Sequence, residues 1–185
     1  MKIVSVVDYE ERADWELIAE GAVTLFWRKP QFEKCKNDLR LLDYRMVEIV
    51  CTNRKEFAGD LGSGLGWKEQ FGYEPWDGNL NALNDGLRYP PFGSTGCLAL
   101  CFERFDRLVA ESPQLADGIL DVVELQSRNQ LLKGRRLLAI VQTNDGSFST
   151  QNLGGRQARW NRAEWLNVAR TPGDGNTDER KSPPD

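Results

Sequence analysis

Four short runs of β-branched, apolar and aromatic residues punctuate the chain: Val23-Thr-Leu-Phe-Trp27, Met46-Val-Glu-Ile-Val-Cys51, Leu98-Ala-Leu-Cys-Phe102 and Leu137-Leu-Ala-Ile-Val141. Longer stretches separate them, and in most of these the apolar residues recur at helical spacing. Parallel strands can be joined only by a crossover of about a dozen residues or more, usually a helix, so this alternation predicts an α/β fold built on a small parallel sheet. A weaker run, Ile3-Val-Ser-Val-Val7, is a fifth strand candidate.

The intervening stretches read as helices from their periodicity. Residues 30–42 carry Phe32, Cys35, Leu39 and Leu42 on one stripe, with Pro30 near the start, where its missing N–H costs least. Phe57, Leu61 and Leu65 keep helical spacing over 56–67, although four glycines weaken that helix. A short helix is expected over 79–88 and a strong amphipathic one over 117–132, with Leu120, Val123 and Leu131 among its apolar positions. Residues 156–170 hold Trp160, Trp165, Leu166 and Val168 and are expected to fold back on the body, partly as helix. At 185 residues the chain predicts one domain over 1–170. The remaining residues, 171–185, hold three Pro, two Gly and no apolar side chain, and read as a disordered acidic tail.

Composition removes several chemistries. The chain has no histidine, which excludes a Ser-His-Asp or Cys-His centre, His-ligated metals and a histidine proton shuttle. Neither a P-loop nor a G-x-S-x-G signature occurs, and Gly62-x-Gly64-x-Gly66 lacks the third glycine and the strand-to-turn position of a dinucleotide site. The four cysteines form no C-x-x-C pair and read as buried reduced thiols. Acidic residues at 8, 10, 11, 14 and 16 do not suit a signal peptide, and no apolar stretch nears the roughly 18 residues of a membrane span. The expectation is a cytoplasmic protein with no cofactor, no metal and no membrane partner. The net charge of −4 supplies no global field for nucleic acid. Arg156, Arg159, Arg162 and Arg170, interleaved with Trp160 and Trp165, could form a local RNA patch, but such a run is more often a solvated basic face.

The informative stretch is 69–87. It holds Glu69, Glu74, Asp77 and Asp85 and no Lys or Arg, so its charge equals that of the whole chain. On a helix starting near Asn79, Leu80, Leu83 and Leu87 share one face, while Asn81, Asn84, Asp85 and Arg88 share another. Asn79 suits the N-cap, and Gly78 lets the chain turn before it. Short polar side chains beside Trp76 and a carboxylate suit a positively charged protein partner.

The aromatic-containing turn and Asn79-Leu-Asn-Ala-Leu-Asn-Asp85-Gly-Leu87 resemble the barstar family, intracellular inhibitors of barnase-type microbial ribonucleases, whose turn is followed by Asn-Leu-Asp-Ala-Leu-x-Asp-x-Leu. The resemblance runs on through Phe102-Glu-Arg-Phe105, the helix at 117–132 and the strand at 137–141. Residues 46–141, about half the chain, thus follow the family's order of a three-stranded parallel sheet with packed helices, and the Val23 run adds a strand. The resemblance implies a non-enzymatic inhibitor that binds a basic ribonuclease one-to-one, its carboxylates mimicking RNA phosphates, with no nucleic acid or small-molecule substrate of its own. By position, Asp85 is the anionic anchor and Trp76 the aromatic contact. Asn79, Leu80, Asn81, Ala82 and Asn84 line the contact face, and Glu124 supplies an acid from the later helix. Two departures stand out: the turn reads Pro75-Trp76-Asp77-Gly78-Asn79, with its glycine displaced, and Asn81 replaces the family's Asp, leaving Asp77 as the nearby substitute. They leave open a barstar-fold interaction module with no ribonuclease target.

Overall fold

The computed structural model describes residues 13–171. In chain order its elements are α1 (Ala13–Ala19), β1 (Val23–Phe26), α2 (Lys29–Leu41), β2 (Arg45–Val50), α3 (Arg54–Gly64), α4 (Trp67–Phe71) and α5 (Leu80–Gly86). There follow β3 (Cys97–Glu103), α6 (Phe105–Glu111), α7 (Pro113–Leu131), β4 (Arg136–Gln142) and β5 (Arg159–Trp160), then two 3-10 turns, Arg162–Glu164 and Asn167–Arg170. The strands form one sheet in the order β2-β3-β4-β1-β5, with every pair parallel. The fold is α/β.

Three of the apolar runs become the inner strands β1, β3 and β4, because helices cover both faces of the sheet, and the Met46 run becomes the edge strand β2. In the β3–β4 register, Leu98, Leu100 and Phe102 lie beside Leu137, Ala139 and Val141. All six point into a core completed by α3 to α7, with Phe57, Leu61, Trp67, Leu83 and Leu120 among its members. The alternate residues Cys97, Ala99, Cys101, Leu138 and Ile140 pack on the other face against Phe32 and Leu39 of α2. Strand β1 is followed by a helix on this second face, which carries the chain past β4 and β3 to the edge strand β2. The later helices return it along the first face. On the second face Lys36 is buried but pairs with Glu33 at 3.0 Å and Glu48 at 2.6 Å, so its charge is not stranded.

Several expected elements differ in extent or kind. The stretch 56–67 is divided, because Gly66 takes φ 64 between α3 and α4. The helix expected over 117–132 starts at Pro113, preceded by α6, which the sequence reading left out. Residues 156–170 are not helical: Arg159–Trp160 pair with β1 as the fifth strand, and only 3-10 turns follow. Of the apolar residues there Ala158 and Trp160 pack against the core, whereas Trp165, Leu166 and Val168 are exposed. The Ile3 run and residues 172–185 lie outside the described residues. Among the described residues no helix is long and apolar enough to cross a membrane.

The cysteines are free, Cys35 partly exposed and the others buried. Burial pushes the Cys35 and Cys51 thiols up to about 12, with carboxylates nearby adding to the shift, and it raises that of Cys101 as well. Alkylation needs the thiolate. Treatment of the native protein with iodoacetamide at pH 8, followed by mass spectrometry, is expected to modify Cys51 and Cys101 only after denaturant is added. Rapid labelling of either in the folded protein would contradict this packing.

Candidate functional site

The acidic stretch runs from α4 through a turn into α5, and an aromatic cluster holds it in place. Trp67 is the buried centre, with ring centroids 4.5 Å from Phe71, 6.3 Å from Tyr73 and 6.1 Å from Trp76. Helix α5 presses on this cluster at Gly86: a Cβ there would stand 2.8 Å from the Trp67 ring and 3.4 Å from that of Phe71. The close approach therefore requires glycine, in a helix where its intrinsic propensity is poor.

Short-range polar contacts set the turn. Asn79 N–H donates to Asp77 Oδ1 at 2.9 Å, and Asn79 Oδ1 accepts from the backbone N–H groups of Asn81 and Ala82 at 3.0 and 3.2 Å. Asn79 is thus the N-cap that the sequence suggested. Trp76 Nε1 donates to Asn79 O at 3.0 Å, tying the turn to the core. At the far end of α5, Gln130 of α7 donates to the carbonyls of Leu87 and Arg88, both at 2.9 Å.

The expected contact residues divide by burial. Asp77, Asn79, Asn81 and Asp85 are exposed. Asp85 keeps 57% of its side chain in water, with Arg88 at 3.5 Å. Leu80 and Ala82 are half-buried against the core. Asn84 is half-buried too, and its Oδ1 accepts from Gln126 at 2.6 Å, holding α5 to α7. Two assignments are corrected. Trp76 is 1% exposed and serves as a core residue, so it offers no aromatic surface to a partner. Glu124 is 5% exposed; its carboxylate accepts from Ala22 N at 2.6 Å and pairs with Arg128 at 3.0 Å. It therefore satisfies the backbone at the start of β1 and does not join α5 in a contact face.

Other side chains take the places these two vacate. Glu69 and Glu74 are exposed alongside Asp77 and Asp85, so all four carboxylates of the stretch face water. Phe71, Tyr73 and Tyr89 are exposed aromatics on the same stretch or just beyond it. They were visible in the sequence, but which aromatics turn inward depends on packing around Trp67. Cations border the face at Lys68 of α4, at Arg88, and at Arg54, whose guanidinium lies against Gly78.

In the basic segment Arg156, Arg159 and Arg162 make surface ion pairs and only Arg170 is buried. Arg162 pairs with Glu16 at 3.0 Å, Arg159 pairs with Glu20, and Arg156 stands 3.9 Å from Glu20. Arg170 is buried and stacks over Trp160 at 4.4 Å. Among the described residues no group of three or more His, Cys, Asp or Glu is placed to hold a metal ion. The chain matches no family model, no curated protein and no solved structure.

The structural roles of Trp76 and Glu124 have direct consequences for stability. Trp76→Ala is expected to destabilise the protein by about 3–5 kcal/mol through cavity formation. Glu124→Ala should cost about 1–3 kcal/mol by leaving the buried Ala22 N–H without a partner. Urea unfolding checks both, and loss of less than about 0.5 kcal/mol in either variant would place that side chain outside the packed structure.

Proposed function

We propose that this protein is a barstar-like inhibitor that binds a basic microbial ribonuclease one-to-one and blocks its active site with the α4-to-α5 surface. One observation carries the reading: Glu69, Glu74, Asp77 and Asp85 are all exposed on one continuous turn-helix segment that contains no Lys or Arg. A rigid array of carboxylates presents to a cationic active site the charge that phosphates would, and it pays little entropy on binding because its backbone is already fixed. The Asn79 cap and the Trp67–Trp76 contact supply that rigidity. Phe71 and Tyr73 stand beside the carboxylates as apolar anchors, the kind of residue that dominates interface energetics.

A second reading is favoured by the burial of Trp76 and Glu124: a module of this fold that uses the same acidic face on a basic protein other than a ribonuclease. Titrating a barnase-type ribonuclease with the purified protein separates the two. Activity falling to zero at one equivalent is the expected result for the inhibitor, and undiminished activity at large excess sinks that reading for this enzyme class.

Asp85→Ala is expected to weaken the inhibitory complex by about 2–5 kcal/mol, as for truncating one partner of a desolvated charge pair. Because the residue is exposed, thermal stability should stay within about 0.5 kcal/mol of the parent. Calorimetric titration and unfolding measure the two effects separately, and unchanged affinity would remove Asp85 from the contact. The association rate should fall steeply as salt is raised, since exposed charges act over about 10 Å at 0.1 M ionic strength.

A further inference from the structure

Two stretches without an acidic residue, 86–102 and 125–144, lie apart in the chain and meet at the end of the sheet where β3 and β4 begin. Cys97 stands beside Arg136 in the β3–β4 register, and Arg136 N–H donates to Gly96 O at 3.0 Å. Gln130 ties the loop after α5 to the end of α7. Together the two stretches bring five cations and no anion: Arg88, Arg128, Lys133, Arg135 and Arg136. Three of these are paired, Arg88 with Asp85, Arg128 with Glu124 and Arg136 with Asp14. Lys133 and Arg135 are exposed and form no ion pair among the described residues. Each stands over an aromatic ring instead: Lys133 Nζ lies 5.2 Å from the centre of Tyr89, and Arg135 Cζ lies 5.3 Å from that of Phe92. Tyr89 is 74% exposed and Phe92 is half-buried. The loop that carries both rings is stiff. Pro90 and Pro91 fix φ between them. Arg45 donates to Pro91 O at 2.5 Å, and Thr95 Oγ1 donates to Asp43 O at 2.7 Å.

We propose that the 88–96 loop and the 132–136 turn form a binding surface for single-stranded nucleic acid, in which Lys133 and Arg135 hold phosphates while Tyr89 and Phe92 stack on bases. Cations alone would fit any anionic partner, and the rings make the choice. A strand of RNA or DNA offers a flat base beside every phosphate, and stacking of bases on aromatic side chains tolerates any sequence. An acidic polypeptide has no group that engages both. The lack of ion pairs matters as well. A cation already matched by a carboxylate must lose that partner before it meets a phosphate, whereas Lys133 and Arg135 leave only a weak contact with an exposed ring. Because the backbone beneath is pinned, binding orders little of the protein. The net charge of −4 does not prevent this, since exposed charges more than about 10 Å apart are screened at 0.1 M ionic strength and the local patch governs. None of the four residues lies in the acidic stretch 69–87, so the inference stands apart from the ribonuclease reading.

Fluorescence anisotropy of the full chain with labelled oligouridine RNA and oligothymidine DNA of about a dozen nucleotides tests it. Affinity is expected to fall about sevenfold between about 50 and 200 mM sodium chloride, the slope for two neutralised phosphates on a single strand. The double variant Lys133→Ala with Arg135→Ala should bind more weakly and flatten that slope. Tyr89→Leu should lose about tenfold in affinity with the slope unchanged. These side chains are exposed, so the Tm of each variant should match the parent's. Tighter binding of the RNA assigns the site to RNA through its 2′-hydroxyls, and equal binding of both strands assigns it to phosphate and base alone; either result supports the inference. It is overturned by absence of binding at the lower salt, or by undiminished affinity in the double variant, which places the contact elsewhere. Parent-like affinity in Tyr89→Leu, or displacement of the strand by polyglutamate at equal charge concentration, also overturns it and marks a surface for polyanions in general.

Discussion

Strands β3 and β4 are shut off from water on both faces, and the positions of the other elements follow from the need to cover them. Leu98, Leu100, Leu137 and Val141 turn one way, Ala99, Cys101, Leu138 and Ile140 the other. Each large side chain taken fully from water contributes about 1.5–3 kcal/mol, so neither face can be left open. A helix must lie on each side, and right-handed crossovers then allow few paths. The chain meets both demands by sending α2 across one face to the edge of the sheet and bringing α3 to α7 back along the other. The acidic surface lies on the returning path, where short helices with frequent glycine turns can be laid over Trp67.

Charge is handled differently at the two kinds of surface. On the face formed by α4, the turn and α5, four carboxylates remain in water, held at fixed spacing by an aromatic cluster beneath them. Elsewhere several cations are consumed by neighbours: Lys36 by Glu33 and Glu48, Arg159 by Glu20, Arg162 by Glu16. The stretch 69–87 is therefore an anionic patch with cations only at its borders. A local patch of this kind, more than net charge, would orient the cationic partner proposed above.

Strand β1 is short, and buried carboxylates bracket it. Glu124 accepts from Ala22 N before it, and Glu164 accepts from Trp27 N and Arg28 N after it. Both acids come from distant segments, α7 and the 3-10 turn Arg162–Glu164, so each fastens a late part of the chain to an early one. An N–H buried without an acceptor costs about 1–3 kcal/mol, so each carboxylate stabilises the end of β1 that it bonds.

The α/β class and the four main strands were legible in the sequence because doubly buried strands are continuous apolar runs, and such runs survive in composition. The Asn79 cap and the exposure of Asp85 were legible too, since capping and helical periodicity are local. Local pattern did not determine which tryptophan of a crowded segment turns inward. Trp76 and Tyr73 lie three residues apart in one loop and both rings contact Trp67, yet the first is buried against Gly62 of α3 while the second stays exposed. Glu124 and Glu164 were hidden for the same reason. Their partners are backbone N–H groups more than a hundred residues away, and such groups carry no side-chain signature. The sequence by itself thus determined the four main strands, the Asn79 cap and the location of the negative charge, all of which depend on neighbours within a few residues. Only the tertiary structure decided which of those residues face water, because burial is settled by segments that meet in space after being far apart in the chain.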